Sequence, residues 1–315
     1  MTYIAKRLLA LIGIVLASSF AVFGGLYLAP GSPEQFLVQG RTVSAEVLAS
    51  IREQYNLDDP FLVRYFSWVG NALQGNFGQS LANRQEVADL LASRLPTTIW
   101  LTVFAAVLIV LLGVGLGALA GLRPGALDNT VLFASNLGFA VPTFFAGLLL
   151  MSLFSVQLGW FPVFGSGSGE GIAGRITHLT LPALALALPS IAVVARITRT
   201  AVREERQSEH AQTARSRGVP ERIVVPRHVI RNSLLPVTTV SGVHIAGLLA
   251  GAFVVESVFT LDGIGALLVT AIQQKDFAVV QAVALIMVVA FGVINLMVDL
   301  LYAVIDPRVR LGAAA

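Results

Sequence analysis

The sequence predicts an all-α membrane protein with six transmembrane helices, and three observations carry that prediction. Of its 315 residues, 56% are hydrophobic and 12% charged, about half the charge of an ordinary soluble domain. Six apolar stretches approach or exceed the roughly 20 residues that a bilayer crossing needs; they run 8–28, 97–121, 131–158, 179–195, 235–257 and 278–305. Lys and Arg are divided unevenly between the alternating loops, fourteen on one side and seven on the other. Basic loops stay in the cytoplasm, so this bias places both termini there.

The first stretch begins after Lys6-Arg7 and could be read as a cleaved signal peptide. Its apolar run exceeds the roughly 7–15 residues of such a core, which favours an anchored helix. Residues 30–96 form an external region with three amphipathic patterns. Ser44 can cap a helix carrying Val47, Leu48, Ile51 and Tyr55 on one face. Asp59-Pro60 starts a second, with Leu62, Tyr65, Phe66, Val69 and Leu73 on one stripe. Val87, Leu90, Leu91 and Leu95 make a third that Pro96 should stop. Such helices suit a bilayer surface, a roof over a pathway, a docking site for a soluble partner, or packing against the spans.

Inside the spans, Gly113, Gly117 and Gly121 repeat every four residues, as do Gly247 and Gly251, a pattern that lets helices approach closely within the chain or against a second subunit. Pro182 and Pro189 in the fourth stretch predict a kink, since membrane helices tolerate proline. The ionisable groups noted in the spans are Glu256 and Asp299. Glu256 is a candidate for the substrate pathway, against the plainer reading of a satisfied carboxylate at a span end; Asp299 should pair with a nearby arginine.

Several chemistries are excluded. A nucleotide-cradling loop needs a lysine after its glycines, and the only lysines, Lys6 and Lys275, follow no glycine. His178, His210, His228 and His244 lack metal-ligand spacing, and without cysteine there is no thiolate site. Residues 169–174 match G-x-G-x-x-G formally, but in a Gly/Ser-rich outer loop rather than between strand and helix. The net charge of +3 has a topological origin and implies no nucleic acid. No nucleophile–base pair suggests an intramembrane enzyme. With few relay groups, the chain reads as a pathway that supplies no energy of its own, although a self-sufficient channel or secondary transporter stays open.

The polar segment 196–235 holds nine of the nineteen arginines. A helix should continue from the fourth span through Arg203, Glu204, Glu205 and Arg206 to Arg217. Gly218 should end it at positive φ, and Pro220-Glu221-Arg222 should open a second helix with proline first. Leu235-Pro236 marks re-entry into the membrane. Helix, glycine turn and helix at a membrane surface make a lever, or a solvated basic loop that enforces topology.

The residues of this loop carry a resemblance. Gln212-Thr213-Ala214-Arg215-Ser216-Arg217-Gly218, followed by Arg227-His228-Val229-Ile230-Arg231-Asn232-Ser233-Leu234-Leu235-Pro236, resembles the cytoplasmic signature of ABC-importer permease subunits. The match is to the first of the two paired permeases of dipeptide/oligopeptide importers. The wider signature reads Glu-Ala-Ala, three residues, then Gly; here Ala214 and Gly218 keep it, while Gln212 and Thr213 depart as is usual in the peptide branch. Similar matches run in order along the chain: Leu28-Ala29-Pro30-Gly31-Ser32-Pro33, Asn76-Phe77-Gly78-Gln79-Ser80, Arg94-Leu95-Pro96-Thr97-Thr98, Val141-Pro142-Thr143-Phe144, Gly251 to Phe259, and Asp306-Pro307-Arg308-Val309-Arg310.

The resemblance implies a type I ABC importer permease fold in a bacterial inner membrane. Its parts would be a cytoplasmic tail and first helix (1–29), the external region (30–96), a five-helix core (97–305) and a cytoplasmic tail (306–315). It implies a second permease, an extracytoplasmic solute-binding protein, and two cytosolic subunits that bind ATP and Mg. This chain would hold no cofactor. The coupling segment falls near 204–218, with Arg203, Glu204, Glu205, Gln212, Thr213, Ala214 and Gly218 as candidate contacts; Ala214 would be small enough to seat in a partner's cleft. The implied cargo is a di- or oligopeptide, and close relatives of the branch also take nickel chelates, glutathione and other small solutes.

Overall fold

The computed structural model describes residues 2–28, 46, 59–80 and 82–305, most of them helical. The predicted helix after Ser44, the 29–33 motif and the 306–310 tail lie outside the described residues, as does the side chain of Asp299. The helices are α1 (Thr2–Leu28), α2 (Phe61–Leu73), α3 (Val87–Leu122), α4 (Ala126–Ala140), α5 (Thr143–Gln157), α6 (Gly171–Gln207), α7 (Glu209–Ser216), α8 (Glu221–Val258), α9 (Ile264–Gln273) and α10 (Phe277–Ile305). Strands β1 (Gln79–Ser80) and β2 (Gln85–Glu86) pair as a short antiparallel hairpin. Among the described residues, three helices contain π-helical turns: Ile109–Val114 in α3, Met151–Gln157 in α5 and Val225–Ile230 in α8.

Among the described residues, five helices are long and apolar enough to cross a membrane, and α4 with α5 supplies a sixth crossing if that pair counts as one span. The predicted stretch 131–158 is therefore not a single helix. α4 and α5 meet at 109°, and Val141 between them is extended at φ −80°, ψ 122°. Pro142 explains the break: its ring crowds the preceding residue out of helical geometry, and it has no N–H to continue the ladder. Pro182 and Pro189, in contrast, sit inside one unbroken α6.

The chain divides into two compact units, residues 1–96 with 263–292 and residues 97–262 with 293–315. In the first, α2 lies on α1 through aromatic edges. Phe20 and Phe23 meet Tyr65 with ring centroids 5.2 and 5.6 Å apart, and Phe23 meets Trp68 at 5.7 Å. The Tyr65 hydroxyl donates to the Leu16 carbonyl at 3.1 Å and lies 2.8 Å from Ser19 Oγ. The predicted apolar stripe of α2 is thus rotated. Tyr65 is buried, but Leu62, Phe66 and Leu73 are exposed, because edge-to-face aromatic contacts select the Phe61–Tyr65–Trp68 side.

Val87, Leu90 and Leu91 do form a buried face, packed with Ile264, Leu267, Ala271, Val279 and Val283. Their helix does not stop at Pro96, which lies within α3. Ahead of α10, buried Asp276 accepts from Ser80 Oγ at 2.5 Å and from the Ala82 amide at 3.2 Å. This ties the hairpin turn to the start of α10.

The second unit is organised around α6, the most enclosed of the long helices. Residues 97–122 of α3, together with α4, α5 and α8, pack on it. The Gly113/Gly117/Gly121 stripe faces it directly, as the four-residue spacing predicts. A Cβ on Gly117 would stand 2.4 Å from the Ala195 carbonyl oxygen, and one on Gly121 would stand 2.8 Å from Val202 Cβ. Gly251 meets Leu186 in the same way, whereas Gly247 has nothing near it. Gly117→Val is expected to cost more than the ~1–3 kcal/mol of ordinary overpacking, because backbone blocks the new atoms. Thermal melting of purified protein in detergent should show a large loss for Gly117→Val and little change for Gly115→Ala, whose Cβ would meet no atom within 4 Å.

Candidate partner-docking loop

Residues 196–235 form a folded platform rather than a solvated loop. α6 does not run on to Arg217 as the sequence suggested. It ends at Ser208, extended at φ −65° and ψ 152°, and α7 starts at Glu209. Serine is a favoured residue at a helix start, and an acidic first turn suits the helix dipole. Here Ser208 Oγ donates back to the Glu205 carbonyl at 2.6 Å, closing off α6.

α7 is amphipathic. Ala211 and Ala214 are buried against Val202 of α6 and Val224 and Val229 of α8. On the opposite side Glu209, Gln212, Thr213, Ser216 and Arg217 line a shallow surface hollow. The expectation that Ala214 enters a partner's cleft is therefore corrected: it points into the loop's own core. At i and i+3 the two alanines share a helix face, and only small side chains let three helices close there.

Gly218 makes the predicted turn at φ +80°. Its N–H donates to the Arg215 carbonyl at 2.9 Å and the Val219 N–H to the Ala214 carbonyl at 3.1 Å, the paired bonds of a Schellman cap. Val219 packs on the cluster that holds Ala214. Pro220 precedes α8 rather than opening it, since the helix begins at Glu221. Arg215 then staples the platform: its Nε donates to Glu221 at 2.6 Å and its NH1 to the Arg206 carbonyl at 2.8 Å. His210 Nε2 lies 3.1 Å from a Glu205 carboxylate oxygen and 2.9 Å from Asn232 Nδ2.

The other candidates fall in different places. Glu204, Gln212 and Thr213 are exposed; Gln212 Nε2 donates to the Gln207 carbonyl at 2.8 Å. Arg203 turns inward, 3.2 Å from Asp128. Leu235 and Pro236 lie within an uninterrupted α8, so no joint marks membrane re-entry. Glu256 is 0% exposed and accepts from Thr98 Oγ1 at 2.5 Å. Within this chain it is a buried, hydrogen-bonded carboxylate.

Two further polar residues matter here: Asp128, which the sequence reading does not single out, and His244, which it weighs only as a metal ligand. Asp128, in the first turn of α4, is buried; it accepts from Arg199 Nε, from Arg199 NH2 at 2.8 Å and from Arg203. Beside it, Arg206 NH1 donates to the Leu122 carbonyl at 2.8 Å. Removing one partner of such a buried charged pair typically costs about 3–5 kcal/mol. His244, inside α8, places Nδ1 3.2 Å from Ser190 Oγ. Its position within an apolar stretch was the available signal.

The long apolar helices and the folded polar platform on a large basic loop define a multi-pass helical membrane protein. Residues 113–311 match the family described as "Binding-protein-dependent transport system inner membrane component", and residues 1–102 its N-terminal companion, "Binding-prot-dependent transport system membrane comp, N-term". The chain belongs to this family of ABC-importer permease subunits, multi-pass proteins of the bacterial inner membrane. It is 38% identical to the "Glutathione transport system permease protein GsiC" of Escherichia coli and of Shigella dysenteriae over 314 residues, covering 98% of this chain and 99% of the relative. The Salmonella typhi protein of the same name is 38% identical over 311 residues.

The Schellman turn yields a graded expectation. A β-carbon at left-handed φ costs roughly 1–2 kcal/mol, and nothing else crowds Gly218. Gly218→Val should lower the melting temperature of the purified chain measurably. Gly218→Asn should lower it less, because asparagine visits that region more readily.

Proposed function

We propose that this chain is one half of the translocation pathway of an ATP-driven importer for short peptides, glutathione among them. On this reading two cytosolic ATP-binding subunits dock against the exposed face of α7. A second permease completes the pathway, a solute-binding protein delivers the cargo from outside, and both termini face the cytosol. ATP and Mg belong to the partners, since neither Lys6 nor Lys275 stands in a phosphate-cradling loop.

One observation carries the docking role. α7 is held on its inner side by the alanine–valine cluster and by Arg215, while its outer side presents five polar residues around a hollow. A helix fixed in this way transmits force as a body, because packed side chains deform little. A loop that served only to keep positive charge in the cytoplasm would need arginines and no core.

The cargo reading rests on two supports that converge. The ordered motifs resemble the peptide branch, and the relatives carry glutathione in their names; glutathione is itself a tripeptide. A self-sufficient channel would predict flux from the chain alone.

Uptake of labelled glutathione and of labelled di- and tripeptides by cells carrying the full transporter tests both parts. Thr213→Trp, on the exposed face of α7, should reduce uptake at least tenfold, equivalent to about 1.4 kcal/mol, while the protein still reaches the membrane. Unchanged uptake by Thr213→Trp, or flux through the chain reconstituted without ATPase partners, would overturn the docking role. Uptake of neither solute class by the unaltered transporter would overturn the peptide assignment.

A further inference from the structure

We propose, on the basis of the docking role of α7, that Asp128 is a positioning residue for coupling: it locks α4 to the loop-bearing end of α6, so that movement of the platform reaches the bend between α4 and α5. No catalytic part is assigned to it.

The geometry is specific. Arg199 and Arg203 lie on α6 one turn apart, shortly before the joint at Ser208 where α7 departs. Both guanidinium groups converge on one carboxylate, whose side chain is 5% exposed. Arg199 grips it with two nitrogens. A planar fork on a carboxylate fixes direction as well as distance. Further along, α4 meets α6 where Gly138 passes, with the place of its missing Cβ 3.6 Å from Ala192 and Leu188, and where the Arg196 guanidinium lies over the Phe139 ring, 5.9 Å from its centroid. Apolar contact and a cation over a ring hold two helices together but fix register less sharply than a forked ion pair. Asp128 supplies the register at one end of α4; at the other end, Val141-Pro142 hands the chain to α5 at 109°.

Displacement of α7 thus acts on α6 at Ser208, passes through the carboxylate into α4, and swings the bend. Coupling needs an element with two arrangements that both sites bias. On this proposal the bend between α4 and α5 is that element, and the fork is the contact that commits α4 to one register on α6. Arg206, bonded to the Leu122 carbonyl, ties α3 into the same end. A carboxylate that served only as glue could be replaced by any contact of equal strength without changing how the bend responds.

The test uses the assembled transporter and needs no knowledge of the cargo. The sequence contains no cysteine, so spin labels can be placed at Phe144→Cys and Thr239→Cys, both exposed positions of the same unit. Their separation is measured without nucleotide and with ATP plus vanadate. The unaltered loop should give a clear shift in distance. Asp128→Asn, which keeps the volume and removes the charge, should abolish the shift, whereas Thr213→Cys still cross-links to the ATPase subunit. The double exchange Asp128→Arg with Arg199→Asp should restore part of it. If Asp128→Asn does not assemble, Arg203→Gln, at the half-buried outer contact, should reduce the shift. A full shift in Asp128→Asn, or in Arg203→Gln where Asp128→Asn does not assemble, or a bend that ignores nucleotide in the unaltered chain, would overturn the assignment. Absence of the Thr213 cross-link in every variant would instead remove the docking role itself.

Discussion

Backbone contact between α3 and α6 sets the positions on which everything at the charged loop depends. Where Gly117 meets the Ala195 carbonyl there is no room for a side chain, so the two helices run closer than leucine-lined helices can. That approach carries to the end of α3, where the Leu122 carbonyl accepts a bond from Arg206. Four residues further on, α4 begins with Asp128 close enough to take both Arg199 and Arg203. A wider spacing would leave the buried Asp128 carboxylate and the Arg199 guanidinium without one another, at a cost of several kcal/mol per ion.

The platform inherits this rigidity. α7 is a short helix, well below the length that is stable alone in water, so its shape comes from packing and caps. Ser208 breaks it from α6, Gly218 closes its far end, and Ala211 and Ala214 let it sink against Val202, Val224 and Val229. The outer face is left polar and unobstructed. On the proposed reading, this is the firm surface through which the cytosolic ATP-binding subunits work the permease.

Much of this was legible in the residues. Apolar runs mark the long helices, the four-residue glycine repeat marks a close contact of helix backbones, and Gly218 before Pro220 marks the turn. What escaped depended on tertiary context. Val141-Pro142 was visible, but proline bends α4–α5 sharply and leaves α6 continuous at Pro182 and Pro189; local sequence does not separate these outcomes. Whether Ala214 faces a partner or its own core depends on which valines stand opposite. The apolar stripe of α2 was assigned without Phe20 and Phe23, whose rings choose the Tyr65 side. Asp128 lies outside the long apolar runs and belongs to no motif, and His244 lacks metal-ligand spacing, so neither stands out from local sequence. Glu256 was considered as a pathway group, yet Thr98 at the start of the second stretch already holds it.

The account stands on α7 being the surface on which the cytosolic partners act. Hydrogen–deuterium exchange on the purified permease pair, with and without the ATPase subunits, measures this directly. Amides of residues 209–217 should gain strong protection when the partners bind, while those of the 159–170 loop exchange as before. Unchanged exchange across 209–217 in a complex that demonstrably forms would contradict it.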